Sequence, residues 1–380
     1  MQRTVDVAIV GAGIVGLAHA WSAARLGLTV AVFERGPRAE MASIRNFGMV
    51  WPIGQPPGDD FRRAMRSRSR WLELKREAGL WVNECGSIHV AHAADEFAVL
   101  DEFAAMARQH DVPCELLSRS ETLSRFPAAN ADGLHGSLYS TVECCVDPRV
   151  AIAAIPEFLA DKYGVEFHFR TAVAGIEAPI VCTSAGDRWQ AGRVLICSGA
   201  DFESLFPREF AASGLRRCKL QMLATAPQPN GWNLGPHWAA GLTLAHYAAF
   251  RDCPTLPALK ARFERELPEC VATGIHVMAS QNHLGEVVIG DSHEYDDAMS
   301  PFDVERIDRI ILDYLAGFLR LPDPAIARRW HGVYAKHPSK TQFVAEVQPN
   351  VHIQSSPGGA GMTLSFGLAD DWWANLGPSG

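Results

Sequence analysis

Apolar and polar positions along this chain alternate between a strand period and a helix period. Val5-Asp6-Val7-Ala8-Ile9-Val10 is a nearly continuous apolar run of strand length, the pattern of a strand covered on both faces. From Ile14 to about Leu26 the apolar residues recur at helical spacing, and Gly27 closes the run. Residues 28–33 read as a second buried strand that ends on Glu34. Residues 42–52, polar at their start and aromatic at their end, read as a loop. Helical periodicity returns over 59–77 and 96–110, and 80–92 read as a pair of strands. A short helix starts at Ser120 and stops before Pro127.

Asp147 and Pro148 mark the start of the next helix, as N-cap and first-turn residue, and Gly164 marks its end near Tyr163. Strands are predicted over 165–169 and 193–200. Residues 215–300 differ in character: Trp232, Trp238, Tyr247 and Phe250 punctuate candidate strands at 219–225, 274–280 and 286–289, with one helix near 255–267. That pattern predicts an antiparallel sheet. A helix over 303–319, a strand at 351–354, a glycine turn and a helix from about Leu364 complete the chain. At 380 residues the chain exceeds one ordinary core. The expected fold is α/β, with a discontinuous Rossmann-like domain from residues 1–80, 146–215 and 325–380. An α+β domain with a mostly antiparallel sheet, from 81–145 and 216–324, is inserted twice.

Chemistry enters at the first turn. Gly11-Ala12-Gly13-Ile14-Val15-Gly16 stands between strand and helix, with Glu34 at the end of the next strand. This is the dinucleotide fingerprint in its full context. Gly11 permits the tight turn, Gly13 lets a pyrophosphate approach the backbone, and Gly16 lets helix and strand pack closely. The helix N-terminus offers N–H groups and partial positive charge to phosphates. An acid at position 34 suits ribose hydroxyls and opposes a 2′-phosphate, so FAD or NAD is expected rather than NADP.

Charge narrows the partners. The net charge of −8 leaves no basic excess for nucleic acid. Arg62, Arg63, Arg66, Arg68 and Arg70 form a local cluster, read as a solvated helix face or as a rim for an anionic substrate. The nine cysteines show no metal-ligand spacing and suggest a reducing compartment. Vicinal Cys144 and Cys145 read as strand residues. No apolar run is long enough for a membrane span, and the start of the chain reads as a strand without a signal peptide; a cytoplasmic protein is expected.

Taken together, these motifs resemble the FAD-dependent D-amino-acid oxidase, glycine oxidase and sarcosine oxidase family, which has a glutathione-reductase-like FAD fold. The resemblance rests on the 11–16 fingerprint with Glu34, on Ser43-Ile44-Arg45-Asn46, and on Ser198-Gly199-Ala200. It rests also on Trp330-His331-Gly332 and on Gly358-Gly359-Ala360-Gly361-Met362-Thr363. It implies FAD contacts at Gly11, Ala12, Gly13, Ile14, Val15, Gly16, Glu34 and Arg35. Further implied contacts are Ser43, Arg45, Asn46, Val173, Ser198, Gly199 and Gly332, with the final turn from Gly358 through Thr363 facing the isoalloxazine ring. The run from Ser43 to Gln55 is similar to a subgroup associated with bacterial phosphonate catabolism, which implies oxidation of 2-aminoethylphosphonate-type amines. The implied chemistry moves a hydride from the carbon beside a neutral amine to the flavin. The imine then hydrolyses to an aldehyde and an amine, with no strongly placed acid–base side chain needed.

The departures from the family concern the substrate. Where relatives place a carboxylate-clasping Arg, this chain has Tyr334; where others place a Lys, it has Thr363. A bidentate Arg is hard to replace for a planar carboxylate, so a tetrahedral phosphonate is the expected anion. Arg45, Asn46, His331, Tyr334, Lys336 and His337 are the candidate catalytic residues, with Lys340 a further candidate for the anion. The position of the oxygen-activating Lys of sarcosine oxidase-like relatives reads as Val288, which puts fast oxygen use in doubt and leaves oxygen or another acceptor open. The Trp-x-Gly region lacks the Cys that attaches flavin in some relatives, so FAD is expected to be non-covalent. His246, His283 and His293 read as scattered structural residues, and no metal is expected. The protein is expected to be a monomer or homodimer. Alternatives are an oxidase or dehydrogenase of a small D- or N-methyl amino acid, a flavin hydroxylase, and a non-catalytic FAD-carrying component of a larger enzyme.

Overall fold

Two large sheets and a small three-stranded one organise the computed structural model, which describes residues 3–355 and 357–376. The ends of the expected nucleotide piece, 1–2 and 377–380, lie outside the described residues. The first sheet has a parallel centre. Strand Arg3–Val10 lies between Val30–Phe33 and Arg188–Ile196, with Glu166–His168 beyond Val30–Phe33 and Val351–Ser355 beyond the end of Arg188–Ile196. Its strands are apolar on both faces because helices Ile14–Arg25, Pro148–Tyr163 and Gly361–Asn375 cover one side and Leu205, Phe210 and Leu215 pack on the other. Val173–Glu177 and Ile180–Thr183 extend it antiparallel from the start of Arg188–Ile196.

The second sheet is mainly antiparallel and nine-stranded. Arg216–Pro227 runs through it beside Glu286–Gly290 and Ile326–Lys336. His237–Ala239 joins Ser87–Ala91 in a parallel pair that connects the two halves of the sheet. Strand Ile326–Lys336 belongs here, although the expected division puts it in the nucleotide piece. Its register along Arg216–Thr225 brings the Trp-x-Gly segment from this sheet over the first. The two strands expected to pair within 80–92 do not pair with each other. Val82–Asn83 joins Cys144–Val146, whereas Ser87–Ala91 joins Gly136–Ser140. Cys144 and Cys145 are buried, unbridged strand residues.

Local signals explain several boundaries. The Asp147 side chain accepts from Arg149 N at 3.0 Å and caps Pro148–Tyr163. Ser118 and Glu121 form a reciprocal capping box ahead of Arg119–Arg125. The final helix begins at Gly361, three residues earlier than expected, because the glycine turn itself winds into it.

The arginine cluster on helix Asp59–Ala78 is neither a solvated face nor a substrate rim in the main. Arg63 and Arg66 both bond Asp371, and Arg70 bonds Asp370. Trp71 Nε1 donates to Met362 O at 2.8 Å, and Gly367 N donates to Ser67 Oγ at 2.8 Å. The charges therefore clamp the last helix, whose N-terminus forms part of the cavity described next. Arg68 turns to Val142 O and Glu84, and Arg62 remains at the surface with Asp59.

Candidate active site

The carboxyl ends of the parallel strands open into one elongated cavity of about 750 Å³, the expected position for a ligand in an open α/β sheet. At one end lie Glu34, Arg35 and Val173. The middle is lined by Gly11, Gly13, Ile14, Val15, Ser43, Arg45, Asn46, Ser198 and Gly199. Gly332, Tyr334, Gly358, Gly359, Ala360, Gly361, Met362 and Thr363 follow. Met222, His246, Tyr247, Met278, Asp291 and His293 wall a further part of the cavity, its chamber.

The fingerprint turn is shaped by close approach. Gly11 has φ +103°, and a Cβ there would lie 2.5 Å from Cys197 O. A Cβ on Gly16 would fall on the Gly11 carbonyl oxygen. Ala12 and Gly16 themselves do not line the cavity; they set the turn that does. Glu34 is held by two backbone amides, Ala12 N at 3.0 Å and Gly36 N at 2.9 Å. Ser43 Oγ accepts from Ile14 N at 2.9 Å and so caps the first helix from a distant loop. Arg35 pairs with Asp201 at 2.7 Å. Further along, Ser355 Oγ and Gln354 Nε2 are buried, lack a partner among the described residues, and line the cavity. Polar atoms left open beside a glycine cradle fit the polar ring edge of a flavin.

The expected catalytic residues divide. Tyr334 is buried, and its hydroxyl lies 3.4 Å from where a Cβ on Gly359 would be, above the final glycine turn. Burial first, and then the neighbouring Cys218 thiol, push its phenol well above the usual range, so it is neutral. Lys336 also faces the chamber and donates to the Tyr295 hydroxyl at 3.0 Å.

The side chains of the other expected residues are engaged within the chain. Arg45 donates to Glu40 O at 2.8 Å and His331 O at 3.3 Å, tying its loop to strand Ile326–Lys336. Asn46 donates to Ala42 O and Ser43 O and accepts from Gly48 N, holding the same loop. The His337 Nδ1 atom accepts from Ser339 N and Lys340 N, both at 3.1 Å, and organises a turn at the cavity mouth, where Lys340 is exposed. His331 does not line the cavity. Strand alternation sends it to the other face from Tyr334 and Lys336, where Asp303 takes its Nδ1 at 2.9 Å. Thr363 is equally committed: its Oγ1 accepts from Trp51 N at 2.9 Å. Val288 is buried and does not line the cavity.

Sequence reasoning missed the chamber's main polar group. His246 and His293, expected to be scattered, meet His276 and Asp291 there. His246 is exposed to the chamber space, whereas His276 and His293 are buried. Desolvation at this depth holds His293 down to about 4, and His246 and His276 well below the ordinary imidazole value. The neighbouring imidazoles and the Lys336 charge add to the effect at His246 and His276. Burial raises Asp291 well above the usual carboxyl range. No local spacing signals this group, because its members come from separate segments. His283 stays outside it, against Asp147 at 3.0 Å.

Comparison with known proteins places this geometry. A component chain of the opine oxidase of Rhizobium meliloti is 25% identical over 236 residues, covering 58% of this chain and 63% of that protein. Glycine oxidase of Geobacillus kaustophilus is 28% identical over 211 residues, covering 53% and 56%. The matched region thus spans less than two thirds of these curated relatives. The crystal structure of Geobacillus kaustophilus glycine oxidase superimposes with a TM-score of 0.78 at 20% identity, covering 99% of this chain and 95% of that one. L-proline dehydrogenase from P. horikoshii superimposes at 0.72 and 17%, covering 100% and 95%. These structural likenesses carry the fold. Residues 6–372 match the family described as "FAD dependent oxidoreductase"; the chain belongs to that family, and its cofactor is FAD.

Proposed function

We propose that the protein oxidises the C–N bond of a small amine bearing a phosphonate, (N-methyl-)2-aminoethylphosphonate, to phosphonoacetaldehyde plus an amine. The observation that carries this reading is the chemistry of the chamber. Arg45 spends its guanidinium on main-chain carbonyls, Tyr334 covers the glycine turn, and Thr363 is bound to Trp51 N. Arg251 stands exposed at the rim beside Asp252. The Lys336 ammonium, a point charge with rotatable donors, lines the same cavity as the imidazole group. Such a set suits a tetrahedral anion better than a planar carboxylate, which favours a guanidinium fork.

Bound FAD supplies the two-electron acceptor for the hydride. The chain's residues do the rest. Tyr334 and the glycine turn fix the distance between the turn and the substrate, so the reacting C–H bond is oriented rather than activated. The substrate amine must be neutral when the hydride leaves. Met222, Met278 and Tyr247 exclude water. The imine then hydrolyses.

The experiment is product identification. Enzyme and N-methyl-2-aminoethylphosphonate with an artificial electron acceptor should yield phosphonoacetaldehyde by phosphorus NMR and methylamine in equal amount. An unchanged phosphonate, with sarcosine turned over to glyoxylate under the same conditions, would overturn the reading. It would favour the small amino acid alternative, which the likeness to glycine oxidase and to monomeric sarcosine oxidase of Streptomyces avermitilis supports.

A further inference from the structure

Three histidines far apart in the chain converge on the chamber wall. His246 ends helix Gly241–His246. His276 and His293 lie on adjacent extended segments, just before Met278–Gln281 and just after Glu286–Gly290. His276 and Asp291 exchange main-chain bonds at 3.3 and 3.2 Å, and His293 N reaches Thr273 O at 2.9 Å, so the register is fixed. Asp291 and His293, two residues apart, share a face. Ring centroids are 3.7 Å apart for His246 and His276, 4.6 Å for His246 and His293, and 5.0 Å for His276 and His293. One ring nitrogen from each lies within 4.8 Å of the other two.

We propose that His246, His276 and His293 bind one divalent transition-metal ion, zinc in the first instance, on the wall of the substrate chamber.

The proton positions support a cation over other occupants. His293 Nδ1 lies 3.0 Å from Gly274 O, and a carbonyl can only accept. Nδ1 therefore carries the proton, and Nε2 keeps its lone pair. His276 Nε2 lies 3.3 Å from Asp291 Oδ1, while its Nδ1 is buried with no partner among the described residues. His293 thus has a hydrogen-bonded outer partner for one nitrogen and leaves the other open, the arrangement that orients metal-bound histidines, whereas His276 meets Asp291 at ion-pair distance without a hydrogen bond. His276 is 3% exposed, so its buried Nδ1, without a partner among the described residues, is costly unless filled; His293 lines the chamber with its second ring nitrogen open. An anion cannot fill it at His293, because an oxygen lone pair would meet a nitrogen lone pair. Nitrogens on tetrahedral zinc, at about 2.0–2.1 Å from the ion, stand about 3.4 Å apart. The present ring nitrogens, within 4.8 Å of one another, must draw together to reach that spacing.

Three protein ligands leave a fourth position open, and it faces the chamber. On the phosphonate reading, that position takes a phosphonate oxygen. The ion then supplies the charge that a guanidinium supplies for a carboxylate.

The test uses the flavin-loaded enzyme, stripped with a chelator, dialysed against zinc and measured by elemental analysis. One zinc per chain is expected. His276→Gln and His293→Gln should each weaken zinc binding at least tenfold while keeping the flavin spectrum, which reports a folded site. His283→Gln, outside the cluster, should bind as the parent does. Wild-type enzyme with no stoichiometric zinc, or both cluster variants with full zinc, would overturn the site. Binding of 2-aminoethylphosphonate, read from the flavin absorbance, should weaken at least tenfold when zinc is removed. Equal phosphonate affinity with and without zinc would overturn the role of the fourth position and leave the ion in place. A clear preference for sarcosine would overturn the phosphonate reading and equally leave the ion in place.

Discussion

Replacing Glu34 with alanine tests the nucleotide end of the cavity. The carboxylate holds two backbone amides, Ala12 N at 3.0 Å and Gly36 N at 2.9 Å, and lines the cavity beside Val173. A carboxylate so placed reaches a ribose hydroxyl while keeping the fingerprint turn in shape. One charge-assisted bond to the ribose is worth roughly 1.5–3 kcal/mol, and every 1.4 kcal/mol is about tenfold in affinity. The expected loss of FAD affinity is therefore about 10- to 100-fold. The two amides left without their acceptor add a loss of stability in the apoprotein. Glu34→Gln retains an acceptor for one amide and a donor for the ribose, and should fall between. FAD titration of apoprotein by flavin fluorescence quenching measures the first effect, and thermal unfolding of the apoproteins measures the second. A Glu34→Ala protein whose FAD affinity stays within about twofold of the parent would refute the ribose assignment.

Two other predictions concern the cofactor and acid stability. FAD should be released into the supernatant by acid precipitation, and yellow colour retained in the pellet would show covalent attachment. Burial works against the Asp147 carboxylate, but Arg149 outweighs it and holds the pKa below the ordinary value of 3.8. The stability this group contributes is thus present above about pH 4 and is lost as the pH falls through the lower folded-state value. Asp147→Asn should lower stability to urea at pH 7 and flatten the acid limb; an unchanged pH profile would count against that linkage.

The parts legible in the sequence are the local ones. The fingerprint, its helix and Glu34 fall within the first 34 residues, and turn, cap and strand patterns there reinforce one another. The Asp147-Pro148 start and the final glycine turn are legible for the same reason. Charge spacing on Asp59–Ala78 is visible, but its partners, Asp370 and Asp371, lie some 300 residues away. His331 reads as flavin-facing because it lies inside the Trp-x-Gly segment; a shift of one position along a strand moves a side chain to the opposite face. Arg45 and Asn46 belong to the right loop, but their side chains serve that loop. The histidine group is illegible, since each member is ordinary in its own segment and only the pairing of two extended segments with a short helix unites them.

The identity of the substrate anion is tested most directly by flavin reduction. Anaerobic mixing of the yellow enzyme with N-methyl-2-aminoethylphosphonate, 2-aminoethylphosphonate, sarcosine, glycine and D-alanine, each followed by bleaching of the flavin band, needs no knowledge of the physiological oxidant. One of the two phosphonates is predicted to bleach the flavin fastest, by about 100-fold or more, from the roughly 1.5–3 kcal/mol of each charge-assisted bond in the chamber. Faster bleaching by sarcosine, glycine or D-alanine than by either phosphonate would contradict the assignment.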